Sequence, residues 1–533
     1  MPGAGEHTPL LVASEPTPTT RRLVVATSLL AGFLGALDLT IVATCIPTIS
    51  SELHSFDRSS WIGTAYLWSN VTFTPLYGRL ADILGRRRAF RQALLLFTVG
   101  TLGCGVAPSF ALLCLGRFVA GMGGGGMSTV SSVVVAETFP PALRGFYQGL
   151  NMMVFGLGIG LGGPIGGWLT ETFGWRAAFF VGADTSAQIP IALTLYVLVG
   201  YSVPGKARGQ TRWGNIDFGG SLTLLLSIGC LLRSLGSGNS AVPFALASAG
   251  FFAVFILVEL CFARVPVLPL TLLKRRVPLC IGIISGVIAI VNFNMLYHLP
   301  MVFEIVLGQS LSSAGSHLLP NSIAMAIFSP LAGLYVNRAR RYKWAIVLSA
   351  CGPLLSMILL TFLGPHSSNF VQWTAVIPMG TGFGALLTLT LVANLEAVSR
   401  DEIATATGFV FIWRCIGQVL GVGISDAVFQ TSLGHELARR FKDGSLIERL
   451  RKASSVIRKL PMSQRLLARE AYGAALRNTF IFGSIGAAIV LVTSFFVSVV
   501  GGRGVNETGP ADGQIPDEPL HEQEKPVSTE PRA

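Results

Sequence analysis

Long apolar stretches broken by short polar loops run through this chain from about residue 23 to residue 501. A helix needs about 20 mostly apolar residues to cross the hydrocarbon core of a bilayer. That length predicts spans near 23–47, 60–80, 91–108, 110–136, 145–170 and 176–200. After a polar linker come 215–235 and 241–263, then 278–302, 314–336, 343–363, 370–394, 403–428 and 477–501. The pattern therefore predicts an all-α integral membrane protein whose 14 helices are grouped as six, two and six.

This grouping sets the expected organisation. A disordered tail (1–22) precedes an N-terminal six-helix bundle (23–200), a linker with two extra helices (201–270) and a C-terminal six-helix bundle (271–501). A Pro-rich, acidic tail (502–533) closes the chain, and its polarity argues against a packed core. The first apolar stretch is long and lacks a small-residue cleavage site after it, so it reads as a retained span.

Basic residues give a direction. Arg21 and Arg22, Arg86 to Arg88 with Arg91, Arg144, Lys206, Arg208, Arg212, Lys274 to Arg276, Arg338 to Lys343 and Arg400 all fall in alternate loops. By the positive-inside rule both termini are expected in the cytosol, which requires an even number of spans. One segment departs from this rule. Residues 430–476 belong on the non-cytosolic side, yet they carry ten Lys or Arg. Leu446, Ile447, Leu450, Val456, Ile457 and Leu460 predict amphipathic helices at the surface there.

Composition agrees with a membrane protein. The chain is 51% hydrophobic and only 12% charged, about half the charge of a soluble domain. Its 61 glycines suit close helix packing in lipid. The net charge of +12 sits in orienting loops, so it gives no reason to expect nucleic acid as a partner. All eight cysteines fall in apolar segments, which predicts no disulfide framework, no metal site and no cofactor.

Charge at membrane depth is the candidate chemistry. An intramembrane carboxylate costs a few kcal/mol and persists where it meets water or a partner. Asp38 in the first span and Arg117 in the fourth are such residues. Asp38 either binds a proton or cation, or is a hydrogen-bonded packing residue; Arg117 either couples to a carboxylate or ties helices together. Asp184, His298, Arg414, Gln418 and Asp426 add polarity to later spans.

Between the second and third spans lies Gly78-Arg79-Leu80-Ala81-Asp82-Ile83-Leu84-Gly85-Arg86-Arg87-Arg88. It resembles the loop joining the second and third helices of major facilitator superfamily transporters. Leu37-Asp38-Leu39-Thr40-Ile41-Val42 resembles the first-span segment of the fourteen-span drug:proton antiporters within that superfamily. Leu113-Cys114-Leu115-Gly116-Arg117-Phe118-Val119-Ala120-Gly121 resembles the family's fourth-span arginine motif, with Ala120 where the usual residue is Gln. Gly163-Pro164-Ile165-Gly166-Gly167 resembles the antiporter motif of the fifth span, although Ile159 replaces one of its glycines. Gln188-Ile189-Pro190, with Ser60-Trp61-Ile62 and Ala65-Tyr66-Leu67, is similar to fungal vacuolar basic amino acid transporters.

The resemblance implies alternating access between two six-helix halves, with transport of a small organic molecule driven by protons. It implies coupling roles for Asp38, Arg117, Asp184 and Arg414. It implies a gating loop of Gly78, Asp82, Gly85, Arg86, Arg87 and Arg144, in which Asp82 contacts the other bundle. Thr40, Gln188, Tyr297, His298 and Gln418 become candidates for the substrate cavity. The expected partners are the bilayer, a small-molecule substrate and protons, with the chain acting as a monomer and not as an enzyme. Basic amino acids entering a vacuole, or drugs and toxins leaving across the plasma membrane, both fit. Glu6 with Leu10-Leu11 has the form of an acidic dileucine sorting signal, which favours the vacuole slightly.

An ATP-driven pump is disfavoured because no G-x-x-x-x-G-K-[ST] loop occurs. A membrane enzyme lacks a His-rich metal cluster or nucleophile elbow to work with. A non-transporting receptor or scaffold has no need for so many intramembrane charges.

Overall fold

The computed structural model describes residues 18–497, apart from 140, 180–187, 204–216, 236–240, 262–269, 340–342, 366, 399–402 and 453. Asp184, the dileucine, residues 1–17 and residues 498–533 lie outside the described residues, as do the side chains of Asp82, Arg144 and Gln188; residues 18–22 of the expected N-terminal tail are instead the start of a helix. Among the described residues the chain is entirely helical.

The N-terminal part holds α1 (Pro18–Glu52), α2 (Ser60–Leu84), α3 (Arg86–Val106), α4 (Phe110–Thr138), α5 (Pro141–Phe173) and α6 (Gln188–Ser202). Then come α7 (Phe218–Leu235), α8 (Ala241–Cys261) and the short α9 (Leu270–Leu273). The C-terminal part holds α10 (Arg276–Met301), α11 (Leu311–Ser316), α12 (Leu319–Ala339), α13 (Lys343–Thr361) and α14 (Asn369–Thr374). It continues through α15 (Ile377–Glu396), α16 (Ile403–Arg440), α17 (Gly444–Lys452) and α18 (Met462–Phe496).

Among the described residues, 12 helical spans are long and apolar enough to cross a membrane. Two further helices fall short of that measure: α2, which carries Ser, Thr, Asn and Tyr along its length, and α6, described over 15 residues. Both pack among the others regardless, α2 against α4 and α6 against α1. Where helices meet closely, small residues make the approach possible. A Cβ on Gly100 or Gly123 of α3 and α4 would run into the facing backbone at Ala120 and Phe97 respectively.

The two six-helix sets repeat one packing scheme. In the first, α1 packs on α5, α2 on α4, and α3 on α4; α6 lies beside α1 and α3. In the second, α10 packs on α16, α12 on α15, and α13 on α15; α18 lies beside α10 and α13. The sets meet through α5 against α11 and α12, and through α2 against α16. Such a repeat places a central passage where the halves face one another.

Burial ranks the helices. The most apolar windows of α1 and α10 are 72% and 78% buried, whereas that of α8 is only 11% buried. The pair α7 and α8 therefore sits at the edge, packed mainly on itself and tied to α2 where Trp68 Nε1 donates to Leu225 O at 2.8 Å.

On the face where α1 ends (the distal face), residues 430–476 are mostly helical. Helix α16 continues to Arg440 and α18 begins at Met462, so most of the segment extends the spans themselves. The remaining stretch folds into α17 and a short 3-10 turn over 454–459. Tyr472 donates to Leu450 O at 2.7 Å, and the hydroxyls of Ser51 and Ser454 lie 3.2 Å apart. The apolar residues read as a surface-lying face thus cap the protein's own distal end, with Leu450 and Ile457 buried.

Candidate functional site

Asp38 and Arg117 meet in the middle of the N-terminal half. α1 and α4 bring them together although 79 residues separate them in sequence. Arg117 Nη1 donates to Asp38 Oδ1 at 3.0 Å and to Oδ2 at 2.8 Å, and both side chains are 0% exposed. Arg117 Nε donates to Ile62 O of α2 at 3.3 Å, and its guanidinium carbon stands 4.4 Å from the centre of the Tyr66 ring. Among the described residues, the Nη2 of Arg117 has no hydrogen-bond partner.

Removing one partner of a buried ion pair costs about 3–5 kcal/mol, because the other charge is left uncompensated. Protonating Asp38 neutralises it without removing it, so the pair is a place where a single proton changes how α1, α2 and α4 are held together. The expectation that Asp38 needs a partner or water is met here by a partner.

The fifth-span motif forms the seam between the halves. A Cβ on Gly163 would meet the backbone of Gly315, and one on Gly167 would meet the backbone of Ser312. Ser312 N donates to Glu171 Oε1 at 3.2 Å, and Ser312 Oγ donates to Pro164 O at 3.5 Å. Gly166 faces the other way, towards Ile41 of α1. Gly163 and Gly167 therefore admit α11 to within backbone contact, while Gly166 admits α1.

These contacts give the state of the molecule. The halves are joined at the distal face and near the centre: Gln430 Nε2 donates to Phe56 O at 3.1 Å, and Cys415 Sγ lies 4.0 Å from Asn70 Oδ1. Gly35 of α1, Gly149 of α5 and Gly408 of α16 have nothing within 4 Å of where a Cβ would stand.

The loop between α2 and α3 is held within its own half. Gly85 has φ 85°, a left-handed value that favours glycine, and this explains its place in the motif. Arg86 Nε and Nη2 donate to the two oxygens of Glu137 at 3.0 and 2.7 Å, and Nη1 donates to Ala81 O at 2.9 Å. Arg87 Nε donates to Val203 O at 2.8 Å. Glu137 was missed from sequence, since an acid at the end of a span looks like any loop residue. A two-pronged Arg–carboxylate pair is geometrically strong, yet Glu137 is 38% exposed. Glu137→Gln is expected to lower stability by only about 1 kcal/mol while leaving substrate affinity intact, readable by thermal unfolding in detergent beside a binding isotherm.

Other expected residues are more dispersed. The hydroxyl of Thr40 lies within 3.2 Å of Ala36 O and 3.4 Å of Gly158 O, buried between α1 and α5 beside Gly162. His298 donates from Nδ1 to Asn294 O at 3.0 Å and sits against Phe429, so it packs inside the C-terminal half. Arg414 is buried, 5.3 Å over Phe411, with its Nε lacking a hydrogen-bond partner. Gln418 is half-buried on the same helix. Tyr297 crosses the seam: its ring lies where a Cβ on Gly63 of α2 would stand. No group of three or more His, Cys, Asp or Glu able to hold a metal occurs among the described residues.

Comparison with known proteins agrees with this architecture. A family model described as the Major Facilitator Superfamily matches residues 28–422. The chain is 33% identical over 487 residues to the multidrug resistance protein fnx1 of Schizosaccharomyces pombe, covering 88% of this chain and 90% of that one. It is 31% identical over 444 residues to vacuolar basic amino acid transporter 1 of Saccharomyces cerevisiae, covering 76% and 78% of the two chains. Its fold is similar to that of a bacterial homologue of the human lysosomal transporter Spinster, with a TM-score of 0.59, 16% identity, and 90% and 96% of the chains covered. With a family match across most of its length and the repeated bundle scheme beneath it, the chain belongs to the Major Facilitator Superfamily, as an integral, multi-pass secondary transporter of small molecules and not an enzyme.

Proposed function

We propose that this transporter is a proton-coupled antiporter of small cationic organic molecules, with basic amino acids as the favoured substrates and a fungal vacuolar membrane as its favoured location. The observation that carries the reading is the fully buried Asp38–Arg117 pair. Asp38 can hold Arg117 or a proton, but not both with full strength. A proton arriving from the acidic side weakens the pair, and the loosened α1, α2 and α4 can then repack as the halves rock. Losing the proton restores the pair and resets the cycle.

Fourteen spans with both termini in the cytosol belong to this proposal, as does action as a monomer. α2 and α6 then complete the N-terminal six, and α7 with α8 stand outside the passage. The face opposite the distal one becomes the cytosolic one. Asp184 and Gln188 are proposed to meet the substrate near the lumenal end. Arg414, buried with a spare Nε donor, is proposed to face the substrate carboxylate. Asp82 and Arg144 are proposed to lock the cytosolic face when it closes.

A second reading, drug or toxin export across the plasma membrane, is favoured by the printed name of the Schizosaccharomyces pombe relative. Uptake of radiolabelled lysine, arginine and histidine into vacuolar vesicles, alongside a cationic dye, separates the two. Amino acid accumulation that needs a pH gradient is the expected result. Dye transport without amino acid transport would favour the second reading, and flux of either without any gradient would overturn proton coupling.

A further inference from the structure

Tyr297 is the C-terminal half's point of entry into the N-terminal half's charged centre. Its side chain is 5% exposed, and its hydroxyl has no hydrogen-bond partner among the described residues. The ring lies against Gly63 of α2, where even a methyl group would collide with it. The residue before Gly63 is Ile62, whose carbonyl accepts from Arg117 Nε. Arg117 Nη2 likewise has no partner, although the side chain is 0% exposed. A buried guanidinium donor and a buried phenol oxygen are thus both unsatisfied beside the same turn of α2. Leaving such groups unpaired in a low-dielectric interior is costly, so each favours a state in which it finds a partner.

We infer that Tyr297 is the alternative acceptor for Arg117, taking a hydrogen bond from its guanidinium when Asp38 becomes protonated and its grip on Arg117 weakens. This rests on the proposed proton coupling at Asp38. Tyr297 does not receive the proton; it is a positioning residue that stabilises the protonated arrangement. Because it belongs to α10, its bond to Arg117 makes the contact between the halves depend on whether Asp38 carries a proton. Separation of the distal seam withdraws Tyr297 from Gly63, removes that stabilisation and favours release of the proton.

The other groups around Asp38 do not supply this role. Arg117 on α4 is its present partner, and Tyr66 on α2 offers the arginine its ring face. Cys104 on α3 packs against Gly116, and α5 presents Gly158 and Gly162 to α1. From α6, Tyr196 stacks with Arg91 near the far end of the bundle.

The test uses the full chain in lipid nanodiscs and needs no substrate. A hydrophobic carbodiimide modifies protonated carboxyl groups, so its pH-dependent reaction with Asp38, read by peptide mass spectrometry, reports the midpoint of protonation. Tyr297→Phe keeps the ring and removes only the oxygen. Protonated Asp38 loses its support, so the midpoint is expected to fall by about one to two pH units. Gly63→Ala, which pushes the ring away, is expected to lower it in the same direction. An unchanged midpoint in Tyr297→Phe overturns the inference, including the case where only Gly63→Ala shifts it, since that result assigns the ring a packing role alone. A wild-type Asp38 whose labelling does not vary with pH overturns the proton-coupling reading and this inference with it, which distinguishes the two failures.

Discussion

Asp38→Asn is expected to reduce gradient-driven transport to background while the protein still reaches its membrane. The amide keeps the shape and one acceptor oxygen, so Arg117 retains a partner for Nη1, but it can neither carry the charge nor exchange the proton. Some stability is lost, because Arg117 is then buried without a counter-charge; the upper bound is the 3–5 kcal/mol for breaking a buried pair. The double substitution Asp38→Asn with Arg117→Met separates folding from function. It is expected to recover much of the lost stability, since buried pairs are often replaceable by apolar residues of similar volume, without restoring transport. Thermal unfolding and vesicle uptake on the same preparations check both halves of the expectation. Full transport by well-folded Asp38→Asn would remove Asp38 from the coupling mechanism.

Gly163→Ala is expected to have the second largest effect, through geometry instead of charge. The added methyl meets the backbone carbonyl group of Gly315, which cannot rotate away as a side chain would. Overpacking of this kind costs about 1–3 kcal/mol, and that cost falls only on the state in which the distal seam is closed. Since 1.4 kcal/mol is a factor of ten in an equilibrium, the ratio of distally closed to distally open molecules should fall about tenfold, and transport is expected to slow. A membrane-impermeant maleimide applied to a Ser51→Cys reporter at the distal face reads this directly, with faster labelling expected in Gly163→Ala. Gly149→Ala in the same helix has open space around it and is expected to behave as the unmodified chain does.

Much of this was visible in the sequence because lipid imposes simple rules. Apolar length marked out the spans, and charge at membrane depth singled out Asp38 and Arg117 individually. Their pairing was not visible, since no local spacing connects residues on α1 and α4. Gly85 was legible only as a position of the loop motif, and the structure gives it the positive φ that makes glycine the favoured residue there. Glu137 was not legible, as its role depends on the end of α4 lying beside the start of α3. The contacts of Thr40 were not visible, because sequence gives a helix's residues but not which face meets α5. The segment 430–476 was legible as helical but not as an extension of the spans. Its charge pattern describes solvation correctly, but the buried contacts of Leu450 and Tyr472 come from tertiary packing that amphipathicity alone cannot distinguish from a membrane surface.

Proton movement caused by substrate is the most direct test of coupling at Asp38. Purified protein is reconstituted into liposomes holding a trapped pH-sensitive dye, with no gradient imposed beforehand, and lysine is added outside. The expected result is a pH change inside the vesicles as protons move opposite to lysine, with no such change for Asp38→Asn. Lysine entry with no accompanying proton movement, or undiminished proton movement in Asp38→Asn, would contradict the account.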